Sequence, residues 1–164
     1  TAPGGYALVL ATPLPGPGAR LGVRLAGEAV AAIHLLGPDV PPVAAATPLA
    51  RRVAERLEAY LQDPGAPFHL PLAPAPSAFQ ARVREALLGL PPGATATYGA
   101  LARDLGSAPR AVGGACRRNP LPLVVPCHRV VAAGGLGGYA GAEDGGWLAV
   151  KRWLLRHEAA GEGA

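Results

Sequence analysis

Apolar residues recur along this chain first in short, strand-length runs and then at helical spacing. Tyr6–Ala11, Gly22–Leu25 and Ala29–Leu36 are rich in Val, Ile and Leu, and they predict three strands. The last two are separated by Ala26-Gly27-Glu28, where Gly27 is free to take a positive φ, so a meander is expected. Thr47-Pro48 then offers an N-cap followed by a first-turn proline, and Leu49, Val53, Leu57 and Leu61 recur every four residues until Asp63-Pro64-Gly65 stops the pattern. One helix is therefore predicted to close an N-terminal unit. From Pro71 to Pro76 proline stands at every second or third position, which favours extended backbone. A domain boundary is placed there, dividing residues 1–75 from 76–164.

Beyond it, Phe79, Val83, Leu87 and Leu90 predict an amphipathic helix that ends at Pro91-Pro92-Gly93. Thr97 can cap a second helix over Tyr98–Leu105, broken at Gly106, and Pro109 can open a third that runs to about Arg118. Two short helices joined by a Gly-containing turn describe a helix-turn-helix unit. Trp147–His157 reads as a last helix with Val150, Trp153 and Leu154 on its buried face. The fold class expected is α+β, a small strand-and-helix unit followed by a mostly helical one.

One stretch breaks these patterns. "LVVPCHRVV", Leu123–Val131, sets a cysteine, a histidine and an arginine inside an otherwise apolar run. Polar groups within a buried strand need partners or cost free energy. Pro126 ends ladder donation, so Cys127 is expected at a strand end with its side chain toward a pocket. A neighbouring imidazole and positive charge lower a thiol pKa from about 8.5 toward neutrality, and His128 and Arg129 follow directly. A lone Cys-His pair also suits an inert buried thiol. Cys116, in "VGGACRR", reads as structural.

Composition narrows the function classes without choosing one. The 164 residues are half hydrophobic, enough for a core, and no run approaches the roughly 20 apolar residues of a membrane span. Thr1–Tyr6 lacks the pattern of a signal sequence, so a cytoplasmic location is the default expectation. Two cysteines and four scattered histidines form neither a disulfide framework nor a zinc array, and no metal or cofactor is expected. Fourteen of the fifteen basic residues are arginine, with Lys151 the sole lysine. The net charge of +4 permits a polyanionic partner, and Tyr98–Asn119 carries Arg103, Arg110, Arg117 and Arg118 against Asp104, leaving +3 on the helix pair. On their own, Tyr98 reads first as a packed helix start, Asn119 as a turn residue and Glu158 as a solvated helix end.

The motifs taken together say more. "PCHRV", preceded by "RAVGGACRRNP" and followed by "GYAG" and "KRWLLRHE", closely resembles the O6-alkylguanine-DNA alkyltransferases, also called methylated-DNA-protein-cysteine methyltransferases. The likeness runs in order over roughly Leu57–Glu158 and takes in "AYLQDPGAPFHLPL" and "FQARVREALLGLPPGATATYGALA". It implies an N-terminal domain likened to ribonuclease H and a C-terminal domain with a winged-helix-like helix-turn-helix. It also implies that Cys127 accepts the alkyl group irreversibly as a thioether, that His128 takes the thiol proton through a water, and that Glu158, rather than His157, orients that histidine. Tyr98 then matches the hydroxyl offered to the departing guanine, and Asn119 the tie between helix pair and active-site segment. Tyr139, Ala140 and Val130 match the guanine pocket. Arg110 matches the arginine that replaces a base flipped out through the minor groove, with Arg117, Arg118 and Arg129 as further candidate DNA contacts. The implied partner is double-stranded DNA containing O6-alkylguanine, bound by a monomer.

Two features depart from the family pattern: Arg84 stands where tryptophan is usual, and "YAGAEDGG" is longer than the usual Tyr-x-Gly-Gly. Two other functions compete. An alkyltransferase-like reader of alkylated guanine would lack the acceptor cysteine, which Cys127 argues against. A transcription regulator with a cysteine sensor gives "HRV" no evident role.

Overall fold

The computed structural model describes residues 5–139 and 145–162, with backbone alone at 161 and 162. Strands β1 (Leu8–Ala11), β2 (Arg20–Ala26) and β3 (Ala29–Leu36) form an antiparallel sheet in the order β1-β2-β3, the meander expected from the pattern. Gly27 takes φ +59° in the connection, and a register shift falls between Arg24 and Leu25. Helix α1 (Pro48–Gln62) starts where the sequence places it, with Thr47 Oγ1 accepting the Ala50 N–H at 3.1 Å, and it buries Val53, Leu57 and Tyr60. The proline-rich stretch runs extended beside β3. Val30 donates to the Pro71 carbonyl at 2.8 Å, and Ala73 donates back to Val30 at 2.9 Å.

Helix α2 (Ala78–Leu88) is capped by Ser77 and buries Val83 and Leu87. Its Arg84, the residue that departs from the family pattern, is half-buried and donates to the Ala73 carbonyl at 2.8 Å, which fastens the proline-rich stretch to the helix. After the short strand β4 (Ala96–Thr97), α3 (Tyr98–Leu105) begins on its Thr97 cap and ends at Gly106, whose left-handed φ of +62° suits glycine. A three-residue turn leads into α4 (Pro109–Arg117), and α3 packs against it.

The segment before Cys127 corrects one expectation. Leu121, Leu123, Val124 and Val125 are buried, yet they form turns and no strand. Leu123 sits at φ +72°, a strained value for a branched side chain, and Pro126 has no N–H with which to extend a ladder. Asn119 replaces the missing partner strand: its Nδ2 donates to the Val125 carbonyl at 2.9 Å, and its Oδ1 accepts the Leu121 N–H at 3.0 Å. Cys127–Arg129 is a 3₁₀ turn, and only afterwards does β5 (Val130–Val131) pair in parallel with β4. Cys127 thus precedes a strand instead of ending one.

Helix α5 (Gly146–Glu162) runs past His157, so Val150, Lys151, Leu154 and Glu158 share its buried face. One apolar cluster extends from Leu8 to Leu154 across both halves of the chain, and the Ile33 N–H joins them by donating to the Pro120 carbonyl at 2.8 Å. No helix among the described residues is long and apolar enough to cross a membrane.

Candidate active site

The 3₁₀ turn delivers three consecutive polar residues into the core, where Glu158 meets them. His128 and Glu158 are both 0 % exposed, and His128 Nε2 lies 2.8 Å from Glu158 Oε2. Arg129 grips the same carboxylate twice, Nε to Oε1 at 2.9 Å and Nη2 to Oε2 at 2.8 Å, and its Nη1 donates to the Leu90 carbonyl at 2.5 Å. From α1, the Tyr60 hydroxyl donates to Glu158 Oε2 at 2.5 Å. Burial alone would raise the Glu158 carboxyl, but the hydrogen bonds from His128 and Arg129 outweigh it and hold the group well below the usual carboxylate range. His157 points elsewhere: its Nε2 bonds the Tyr60 carbonyl at 2.7 Å and its ring stacks on Trp153.

An ionised carboxylate can only accept, so His128 Nε2 carries the proton and Nδ1 keeps its lone pair. That Nδ1 is buried without a hydrogen-bond partner among the described residues. Burial lowers the His128 pKa, with Glu158 opposing, and the ring rests neutral. Burial also pushes the Cys127 thiol up, countered in part by a hydrogen bond from Asn119 and by the charge of Lys151. The expectation of a thiol made acidic by His128 and Arg129 is therefore corrected. Arg129 is committed to Glu158, and the resting pair is a neutral thiol beside a neutral imidazole.

Lys151 went unnoticed as a site residue. It is 0 % exposed, and its Nζ donates to the carbonyls of Val130 at 2.8 Å and Gly138 at 2.9 Å, while burial lowers its pKa to about 8 against the opposing pull of Cys127 and Cys116. One signal could have found it, because a lone lysine among fourteen arginines marks a position where arginine does not serve.

A cavity of about 170 Å³ opens beside Cys127, lined also by Cys116, Arg117, Asn119, Pro122, Tyr139 and, from α5, Trp147. Ile33 and Leu35 of β3 complete the wall, a contribution from the N-terminal sheet that no local pattern announces. Tyr139 is buried with its hydroxyl unpartnered among the described residues, Val130 is fully buried, and Ala140 lies outside the described residues. Tyr98 is half-buried, and its pKa is raised to about 12, chiefly by burial and further by the neighbouring Cys116 and Cys127. Gly137, at φ +75°, passes so close that a Cβ there would stand 3.1 Å from the Tyr98 ring. Cys116 and Cys127 are both free thiols.

Among the candidate DNA contacts, Arg110 at the start of α4 and Arg117 and Arg118 at its end are exposed. Arg129 is not: at 7 % exposure, with its guanidinium on Glu158, it cannot reach a phosphate. Its expected role is corrected to that of a buried counter-ion.

Comparison with known proteins agrees with this geometry. The family described as "6-O-methylguanine DNA methyltransferase, DNA binding domain" matches residues 78–160. A methylated-DNA--protein-cysteine methyltransferase of Methanosarcina acetivorans is 43 % identical over 111 residues, covering 66 % of this chain and 68 % of that protein. A protein of Thermus thermophilus named "DNA base-flipping protein" is 45 % identical over 119 residues, covering 68 % of this chain and 75 % of that one. The crystal structure of Mycobacterium tuberculosis OGT in complex with DNA superimposes with a TM-score of 0.69 at 32 % identity, over 90 % of this chain and 91 % of that one. With its family match over half its length and this fold, the chain belongs to the O6-methylguanine-DNA methyltransferase family.

Proposed function

We propose that this protein repairs O6-alkylguanine in DNA by moving the alkyl group onto Sγ of its own Cys127, once per molecule. The observation that carries this reading is the buried Glu158–His128 pair next to Cys127, with His128 Nδ1 left to accept a proton. In the step, the Cys127 proton passes through a water to Nδ1. Sγ bonds the alkyl carbon, and the carbon–O6 bond breaks with its electron pair departing on guanine. Glu158 stabilises the imidazolium formed, Lys151 offsets the developing thiolate, and the Tyr98 hydroxyl donates to the leaving guanine. The thioether product offers water no leaving group, so the protein is not regenerated. Incubation with duplex DNA containing O6-methylguanine should add one methyl group to the intact protein mass. Stable DNA binding with unchanged mass would instead identify a lesion reader.

The division at residues 75 and 76 separates an N-terminal ribonuclease H-like unit from a C-terminal winged-helix-like one, in which α3 and α4 act as a helix-turn-helix on the minor groove. In this reading the protein works as a cytoplasmic monomer. Arg110 occupies the space of the extruded nucleotide, while Arg117 and Arg118 contact phosphate and Asn119 braces the segment that carries Cys127. Arg110→Ala should then slow single-turnover repair of duplex DNA by about 10-fold to 1,000-fold, or roughly 1.4 to 4 kcal/mol, yet barely alter reaction with free O6-benzylguanine, which pays no unstacking cost. Equal slowing on both substrates would assign Arg110 to the active site and end the flipping role.

A further inference from the structure

The catalytic carboxylate is held from both halves of the chain. Glu158 Oε2 receives three donors, His128 Nε2 and Arg129 Nη2 from the 3₁₀ turn and the Tyr60 hydroxyl from the last turn of α1. Tyr60 is itself fixed. It is 1 % exposed, its ring packs on Phe68 at 5.1 Å between centroids, and its carbonyl is bonded by His157 from α5. Burial, and then the charge of Glu158, raise the Tyr60 phenol far above its ordinary range, so it stays a donor.

We infer that Tyr60 is a positioning residue for alkyl transfer, acting through Glu158 on His128. The inference rests on the reaction proposed above. Carboxylate oxygens offer about two lone-pair sites each, so three donors on Oε2 must share it, and what Tyr60 takes His128 does not receive. Arg129 keeps the carboxylate in place by two bonds whether or not Tyr60 carries its hydroxyl. Removing that hydroxyl therefore changes the charge that Oε2 presents to His128 more than it changes geometry. Helix α1, which bears none of the reacting groups, sets the strength of the base.

The test is the pH dependence of single-turnover methyl transfer at saturating protein. Other titratable groups beside the His128–Glu158 pair are Arg129 and the neutral Cys127 thiol on the turn and Lys151 on α5, and all stay constant between variants. Tyr60→Phe keeps the ring and should move the acid limb of the profile upward by about half a pH unit or more, as His128 holds its proton more tightly against a less shared carboxylate. Site-specific 3-fluorotyrosine at position 60, a stronger donor of nearly the same size, should move the limb downward. DNA affinity should not change. A purely structural tyrosine would lower the melting midpoint or scale the rate at every pH without moving the limb, and that result would overturn the inference. So would a wild-type rate with no acid limb down to the pH at which the protein unfolds. Failure of the wild type to take up methyl would instead overturn the reaction itself.

Discussion

Cys127→Ser should take up no alkyl group from O6-methylguanine DNA, with transfer at least about 1,000-fold slower, which corresponds to about 4 kcal/mol. Burial already raises the Cys127 thiol, so the proposed reaction needs neutral His128 to take the proton at the moment of transfer. A serine hydroxyl is far less acidic than a thiol and its oxygen is a much weaker nucleophile toward an alkyl carbon, so attack should be far slower even with the imidazole in place. DNA affinity should persist, because Arg110, Arg117 and Arg118 are exposed on and beside α4 and the substitution leaves all three in place. Cys116→Ser should remain active. That thiol lines the same cavity, but burial pushes it up to about 12 and it stands on α4, whereas Cys127 directly precedes His128 in the 3₁₀ turn. Peptide mapping after reaction decides the matter, since methyl on Cys116 would displace Cys127 as the acceptor.

Arg129→Ala should destabilise the protein by about 3 to 5 kcal/mol, the cost typical of leaving a buried charge without its partner. Glu158 would keep its place at 0 % exposure but lose both guanidinium bonds, and the Leu90 carbonyl would lose its donor. Protonation of Glu158 would relieve the charge and at the same time remove the carboxylate that supports the His128 imidazolium, so transfer should fail with stability. Urea unfolding of the variant, together with DNA binding across a salt series, separates the two roles that this arginine has been given. A phosphate contact would leave the unfolding midpoint nearly unchanged and reduce the salt dependence by about one counterion.

That contrast marks where sequence reading succeeded and where it stopped. Helix starts at Thr47 and Thr97, the stop at Gly106 and the proline that opens α4 are local signals, each determined by a few neighbouring residues, and the structure keeps all of them. The direction of Arg129 is not local. Its partner stands 29 residues away on a helix whose apolar pattern predicts an end at His157, and Tyr60 meets the same carboxylate across 98 residues. A charged residue with an unseen partner reads as a surface residue, because unpaired charges rarely stay buried. The left-handed Leu123 and the absence of a strand before Cys127 were illegible for a related reason. Apolar spacing shows that a segment is buried but not which backbone pairs with it.

Lys151 has a consequence outside repair. As the sole lysine, buried to 0 % and with its Nζ on two carbonyls, it leaves the folded protein with no side-chain amine exposed to solvent. An acylating reagent can reach that amine only when α5 lifts from the Val130 and Gly138 carbonyls. The acylation rate at this one position, followed by peptide mass mapping to set the α-amine apart, is therefore a clock for the opening of the active site that needs no introduced probe.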